Sequence, residues 1–214
     1  MDDRSTTRWH LLAGVIGPVF FVVVFLIEGW TRPGYDPTRM FVSGLSLTDA
    51  GWQQIANFVI TGLLFLAAAV GWRRSMPDGP GSRWGPVLIG LAGLGLVGAG
   101  VFVTDPGYGY PPGTPGGFPT ESTLHSSLHQ GASILVFGGL PVAMLVMARR
   151  FRGEGSRWTA YSVASAIGMV VAFLAAFAFL DVTGLMQRLS IIIGFGWVAR
   201  VSWRLRREVS EPVT

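Results

Sequence analysis

Four polar side chains recur at four-residue intervals in the segment ESTLHSSLHQGAS: Glu121, His125, His129 and Ser133. On a helix this spacing stacks them along one face, a turn apart. Two imidazoles so placed can hold one divalent metal ion such as zinc. Glu121 or Asp105 would supply an oxygen ligand, and a remaining position would hold a water that the metal acidifies into a nucleophile. The glutamate of an HExxH motif is absent, so the pair lacks the general base of that signature. The same residues admit plainer chemistry. Either imidazole can cap loop carbonyls or pair with Asp105, which would raise the His pKa and lower that of the carboxylate, or act as a metal-free acid, base or pH sensor.

Other polar residues are candidates to join them. Ser43 and Ser46 lie in MFVSGLSL, a moderately apolar stretch that could lie in a membrane interface or dip back, and either hydroxyl could hold a developing oxyanion. Asp181 and Arg188 lie in LDVTGLMQR, where they could pair with each other or with other loops, and Arg188 could instead bind a lipid phosphate or simply anchor the interface. Glu28 and Arg32 stand four apart in the favourable order for a helical ion pair. Asp49 reads as the N-cap of a following helix ahead of any catalytic role.

The elements that must position these groups follow from composition. Half of the 214 residues are hydrophobic and only 13% are charged, too little polar surface for a soluble domain of this size. Six apolar runs, about 11–27, 55–72, 87–103, 124–147, 160–180 and 185–203, each approach the length of a membrane span. The expected fold is all-α: a polytopic transmembrane bundle of six helices forming a single membrane domain. The alternating ten-residue pattern of a membrane β-barrel is absent. Arg4 and Arg8 precede the first run in the manner of a signal peptide, but no small-residue cleavage site follows, so the run is expected to remain as an anchor.

All sixteen basic residues are Arg, and thirteen fall at the N-terminus, the second and fourth connections and the C-terminal tail, against Arg32, Arg39 and Arg188 elsewhere. The positive-inside rule then places both termini in the cytoplasm of a cell membrane and gathers the candidate site residues on the outer face. Trp9, Trp30, Trp52, Trp72, Trp84, Trp158 and Trp203 fall near span ends, where indoles prefer the interface. Basic residues confined to short connections do not make a nucleic-acid surface. With no Cys, disulfide and thiolate chemistry are excluded. The middle thirds of the spans are almost free of charge, which disfavours an ion or proton carrier.

Two spans carry small residues. Gly-rich GLAGLGLVGAG in the third favours close helix packing or a bend, and Ala164, Gly168, Ala172 and Ala176 in the fifth form a seam that could serve the bundle or a homo-oligomer. Asp105-Pro106 ends the third span, and PGYGYPPGTPGGFP after it reads as an irregular cap over the helix ends.

GYDPTRMFVSGLSLTDAGWQQ after the first span, FVTDP closing the third, LHSSLHQGAS opening the fourth and GLMQR opening the sixth together resemble the domain of unknown function 998 (DUF998) family over nearly the whole chain. That resemblance implies a six-helix membrane protein with an outer-face polar cluster and no established activity. His129-Gln130-Gly131-Ala132 is more distantly similar to the fourth-helix motif of the Frag1/DRAM/Sfk1 group, which implies a link to membrane lipid. Three roles are consistent with these residues. The first is binding or sensing of a lipid or small ligand by Asp105, His125, His129 and Arg188 with Ser43 and Ser46. The second is a metal-dependent hydrolase of a lipid ester or amide with His125, His129 and Glu121 or Asp105 around the ion. The third is a structural or partner-binding membrane protein.

Overall fold

The computed structural model describes residues 3–119, 122–153 and 156–210. They form α1 (Asp3–Thr31), α2 (Trp52–Ser75), α3 (Trp84–Val101), α4 (Leu124–Phe137), α5 (Gly139–Phe151), α6 (Ser156–Ala178) and α7 (Thr183–Ser210), with 3-10 turns at Val42–Ser46, Asp49–Gly51 and Leu180–Val182. Among the described residues six stretches are long and apolar enough to cross a membrane, α4 and α5 together making the fourth. The protein is all-helical and multi-pass.

The fourth span is not the single helix expected over 124–147. It breaks at Gly138 because Pro141 has no N–H to offer the Phe137 carbonyl and its ring crowds that oxygen. Asp49 also departs from expectation: it opens a 3-10 turn leading into α2, and no side-chain capping bond is made there.

The spans pack in a ring in chain order, each against its neighbours, and α1 against α7 closes it. Backbone proximity between α2 and α3 explains the glycines: a Cβ on Gly62 would lie 2.7 Å from the Gly93 carbonyl, and one on Gly93 would lie 2.9 Å from the Gly62 carbonyl. The third-span glycines therefore serve packing. Ala172 and Ala176 of the α6 seam are buried, Gly168 faces Ile193 of α7, and Ala164 is exposed. Aromatic rings fill the centre, Phe195 lying 5.1 Å from both Phe21 and Phe65.

An even number of spans leaves the start of α1 and the end of α7 at one end, the arginine-rich end. Trp72 there is not at the interface: it is fully buried and donates to the Ser202 hydroxyl at 2.8 Å, whereas Trp9, Trp30, Trp52 and Trp84 are exposed as expected.

The opposite end is roofed by two loops. Residues 32–51 fold inward, Val42 and Leu45 being fully buried, so MFVSGLSL dips into the mouth of the bundle. Residues 102–119 lie across it: Tyr110 meets Tyr35 edge-on at 5.2 Å and Tyr108 meets Phe41 at 4.8 Å. Left-handed Gly34 (φ +71°) packs so closely on Pro112 that a Cβ would come within 2.6 Å of its ring.

Candidate functional site

Beneath the roof lies a cavity of about 510 Å³. Its walls are mostly apolar: Phe21, Phe58, Leu96, Ile191 and Phe195 from the spans, Met40, Val42 and Leu47 from the first loop. The polar residues lining it include Ser43, Asp105, Tyr108, Ser126, His129, Gln130, Ser133 and Gln187. Size and lining match those of small-molecule sites, roughly 300–1,000 Å³ with a few polar groups in an apolar wall.

The cavity opens sideways. α6 packs along α5 but barely touches α4, and Ile134 of α4 and Phe177 of α6 line the cavity while being 68% and 42% exposed. Phe137 stacks on Phe173 at 4.2 Å across the deeper edge of this gap, and Phe118 of the roof stacks on Phe177 at 6.1 Å across the upper edge. The opening therefore faces the lipid side of the bundle.

His129 and His125 lie a turn apart on one stripe of α4 but differ in burial. His129 is buried, and its Nδ1 faces the carbonyls of Phe102 at 2.7 Å and Ala99 at 3.1 Å. Both partners are acceptors, so Nδ1 bears the proton and closes the last turn of α3, leaving Nε2 as the nitrogen available to the cavity. His125 is exposed, lies edge-on to Phe102 at 5.7 Å and does not line the cavity. Glu121 lies outside the described residues. Among the described residues no three His, Asp or Glu come together in a way that could hold a metal ion.

Asp105 is a clasp between α3 and α4. It accepts from the Thr123 amide at 2.8 Å and the Thr123 hydroxyl at 2.7 Å, and that hydroxyl in turn accepts from the Ser126 amide as the N-cap of α4. Partial burial pushes the Asp105 carboxyl up, but the bonds from Thr123 and Ser126 and the neighbouring His125 outweigh it and hold the group below the usual carboxylate range.

Arg188 is buried away from the cavity. Its Nη1 donates to the carbonyls of Pro37, Met40 and Gly184 at 2.6, 2.9 and 3.0 Å, and Nη2 donates to the Tyr35 hydroxyl at 2.7 Å. It does not pair with Asp181, which meets Arg39 instead. Burial pushes the Tyr35 hydroxyl up to about 12, opposed by Arg188, so the phenol keeps its proton and donates to the Phe41 carbonyl at 2.8 Å. Ser43 reaches the cavity, whereas Ser46 turns back to donate to the Ser43 carbonyl at 2.6 Å. Glu28 and Arg32 form the expected pair, at 3.1 Å and buried on both sides.

The family model described as "Protein of unknown function (DUF998)" matches residues 15–204. The chain belongs to the DUF998 family. No curated protein and no solved structure matches this DUF998 member. The match covers every wall of the cavity, since the lining residues run from Phe21 to Phe195.

Several cavity residues of this DUF998 protein carried no separate signal. Gln187 lies next to Arg188, which drew attention by its charge, yet Gln187 reaches the cavity and accepts from the Val42 amide at 2.8 Å. Phe137, Phe173 and Phe177 gave no signal either, because a ring at the edge of an opening and a ring against an acyl chain look alike in sequence.

Proposed function

We propose that this protein binds a membrane lipid or comparable amphiphile at its roofed end. The hydrocarbon part enters from the bilayer between α4 and α6, and the polar part rests beneath the roof near Ser43, Asp105, His129, Gln130, Ser133 and Gln187. The observation that carries this reading is the apolar cavity of about 510 Å³ with a side opening framed by Phe118, Phe137, Phe173 and Phe177. A guest arriving from water would need a path through the roof, where Tyr35, Tyr110, Val42 and Leu45 are buried. A guest already dissolved in lipid meets the opening directly.

The polar residues support recognition rather than bond-breaking. Asp105 is engaged by Thr123, His129 is anchored through Nδ1, and Gln187 is held by the Val42 amide, an arrangement that orients hydrogen-bonding groups around a polar head. The roofed end is the side poor in arginine, so we place it outside the cytoplasm and the bound lipid in the outer leaflet.

The test is lipid retention. Wild-type protein, stripped by detergent exchange and reloaded from a mixed phospholipid extract, is expected to hold an amphiphile visible by native mass spectrometry. Ser133→Trp, which fills the cavity, should lose it, and His125→Ala should keep it. Equal retention in Ser133→Trp and wild type would overturn the reading. Stoichiometric metal in chelator-free protein, lost in a His125→Ala/His129→Ala variant, would replace it with a hydrolase.

A further inference from the structure

A second groove lies at the arginine-rich end, on the outside of the bundle, where α7 is recessed between α1 and α6. Gly196 forms its floor, and a Cβ there would meet nothing within 4 Å. Val15 of α1 and Ile192 and Ile193 of α7 form apolar walls, and Tyr161, Arg200 and Trp203 stand at its mouth, enclosing about 540 Å³ of open groove. From Arg200 to Ile192 is eight residues of helix, about 12 Å towards the middle of the membrane.

The charge at the mouth selects the occupant. Arg200 is exposed, and its guanidinium lies 5.4 Å from the Tyr161 ring centroid and 5.7 Å from that of Trp158. Rings fix the cation without neutralising it. Among the described residues no carboxylate pairs with Arg200, whereas neighbouring Arg204 is bonded to Glu208 at 2.8 Å. An unneutralised guanidinium at the head of an apolar groove, with an indole that is 46% exposed beside it, has the polarity profile of a phospholipid: anionic head, apolar tail.

We infer that this groove is a specific site for an anionic glycerophospholipid, its phosphate on Arg200 and one acyl chain lying over Gly196 between Val15 and Ile192. The site is separate from the roofed cavity and does not depend on that cavity binding anything.

The experiment is native mass spectrometry of the purified full chain titrated with phosphatidylglycerol or phosphatidylcholine of identical chains. Wild type should retain phosphatidylglycerol preferentially, and Arg200→Gln should remove that preference, a change of about fivefold for one arginine at a membrane surface. Gly196→Leu, which fills the groove with little disturbance because its side chain enters open space, should weaken both lipids while Ser133→Trp leaves the preference intact. A preference that persists unchanged in Arg200→Gln and Gly196→Leu would overturn the site. So would displacement of phosphatidylglycerol by inorganic phosphate with Gly196→Leu behaving as wild type, since the tail would then play no part.

Discussion

Asp105 and Arg188 show two ways in which one charged side chain fastens a loop to a helix. Among the described residues no carboxylate pairs with buried Arg188; the carbonyls of Pro37 and Met40 and the Tyr35 phenol tie the first loop to it, and the Gly184 carbonyl of α7 completes its bonds. Asp105 ties the end of α3 to the start of α4 through Thr123. Because its folded-state pKa is depressed, its contribution is fully present above the ordinary carboxylate pKa and is lost as pH falls through the folded value. Asp105→Asn is expected to lower stability in detergent by about 1 kcal/mol near neutral pH, after allowing for solvent screening, and to flatten the acid limb of the stability profile. Thermal unfolding followed from neutral pH down to about 3 checks this, and a variant whose acid limb matches wild type would remove Asp105 from this role. Asp105, His129 and Ser43, which line one cavity, drew attention in the sequence because ionisable and hydroxyl groups at span ends stand out against an apolar background. It could not separate His125 from His129, although both lie on the same helical stripe: which imidazole is buried depends on the Ala99 and Phe102 carbonyls at the end of a different helix.

The helices themselves were legible, since their apolar runs must match the thickness of the hydrocarbon and little else in a sequence does. Their contacts were less so. Gly62 gave no pattern of its own in the second span, yet it meets Gly93 backbone to backbone. Gly62→Ala should therefore destabilise the bundle by about 1–3 kcal/mol, as overpacking of a tight contact does. Gly131→Ala on exposed α4, where a Cβ meets nothing within 4 Å, should cost nothing. Unfolding of the two variants in parallel decides the matter, and equal stability would mean that α2 and α3 are not held by close approach. The break at Gly138 escaped a hydropathy reading because both halves of the fourth span are apolar, although Pro141 was its visible cause.

At the scale of the whole molecule, arginine placement divides the bundle into a roofed end and a basic end, and the chain's lack of cysteine makes that division directly measurable. Gly116→Cys in the roof loop should react with a membrane-impermeant maleimide in intact cells, while Asp78→Cys in the connection between α2 and α3 should react only after permeabilisation. The reverse pattern would invert the topology and place the cavity in the other leaflet. Each leaflet then meets its own groove: a roofed one near Asp105 and uncharged polar groups, and an open one headed by Arg200.

The interruption at Gly138 also separates the two halves of the fourth span mechanically. α5 is gripped by α3 and α6, while α4 has α3 on one side and the lateral gap on the other. The hydrogen bond that Pro141 cannot make leaves Gly138 the least constrained backbone point of this span, while Asp105 through Thr123 and His129 through the Phe102 carbonyl hold α4 to the end of α3. Widening the gap would cost the Phe137–Phe173 and Phe118–Phe177 stacks rather than a turn of backbone, which makes the width of the doorway a matter of aromatic rings and of the bonds that tie α4 to α3.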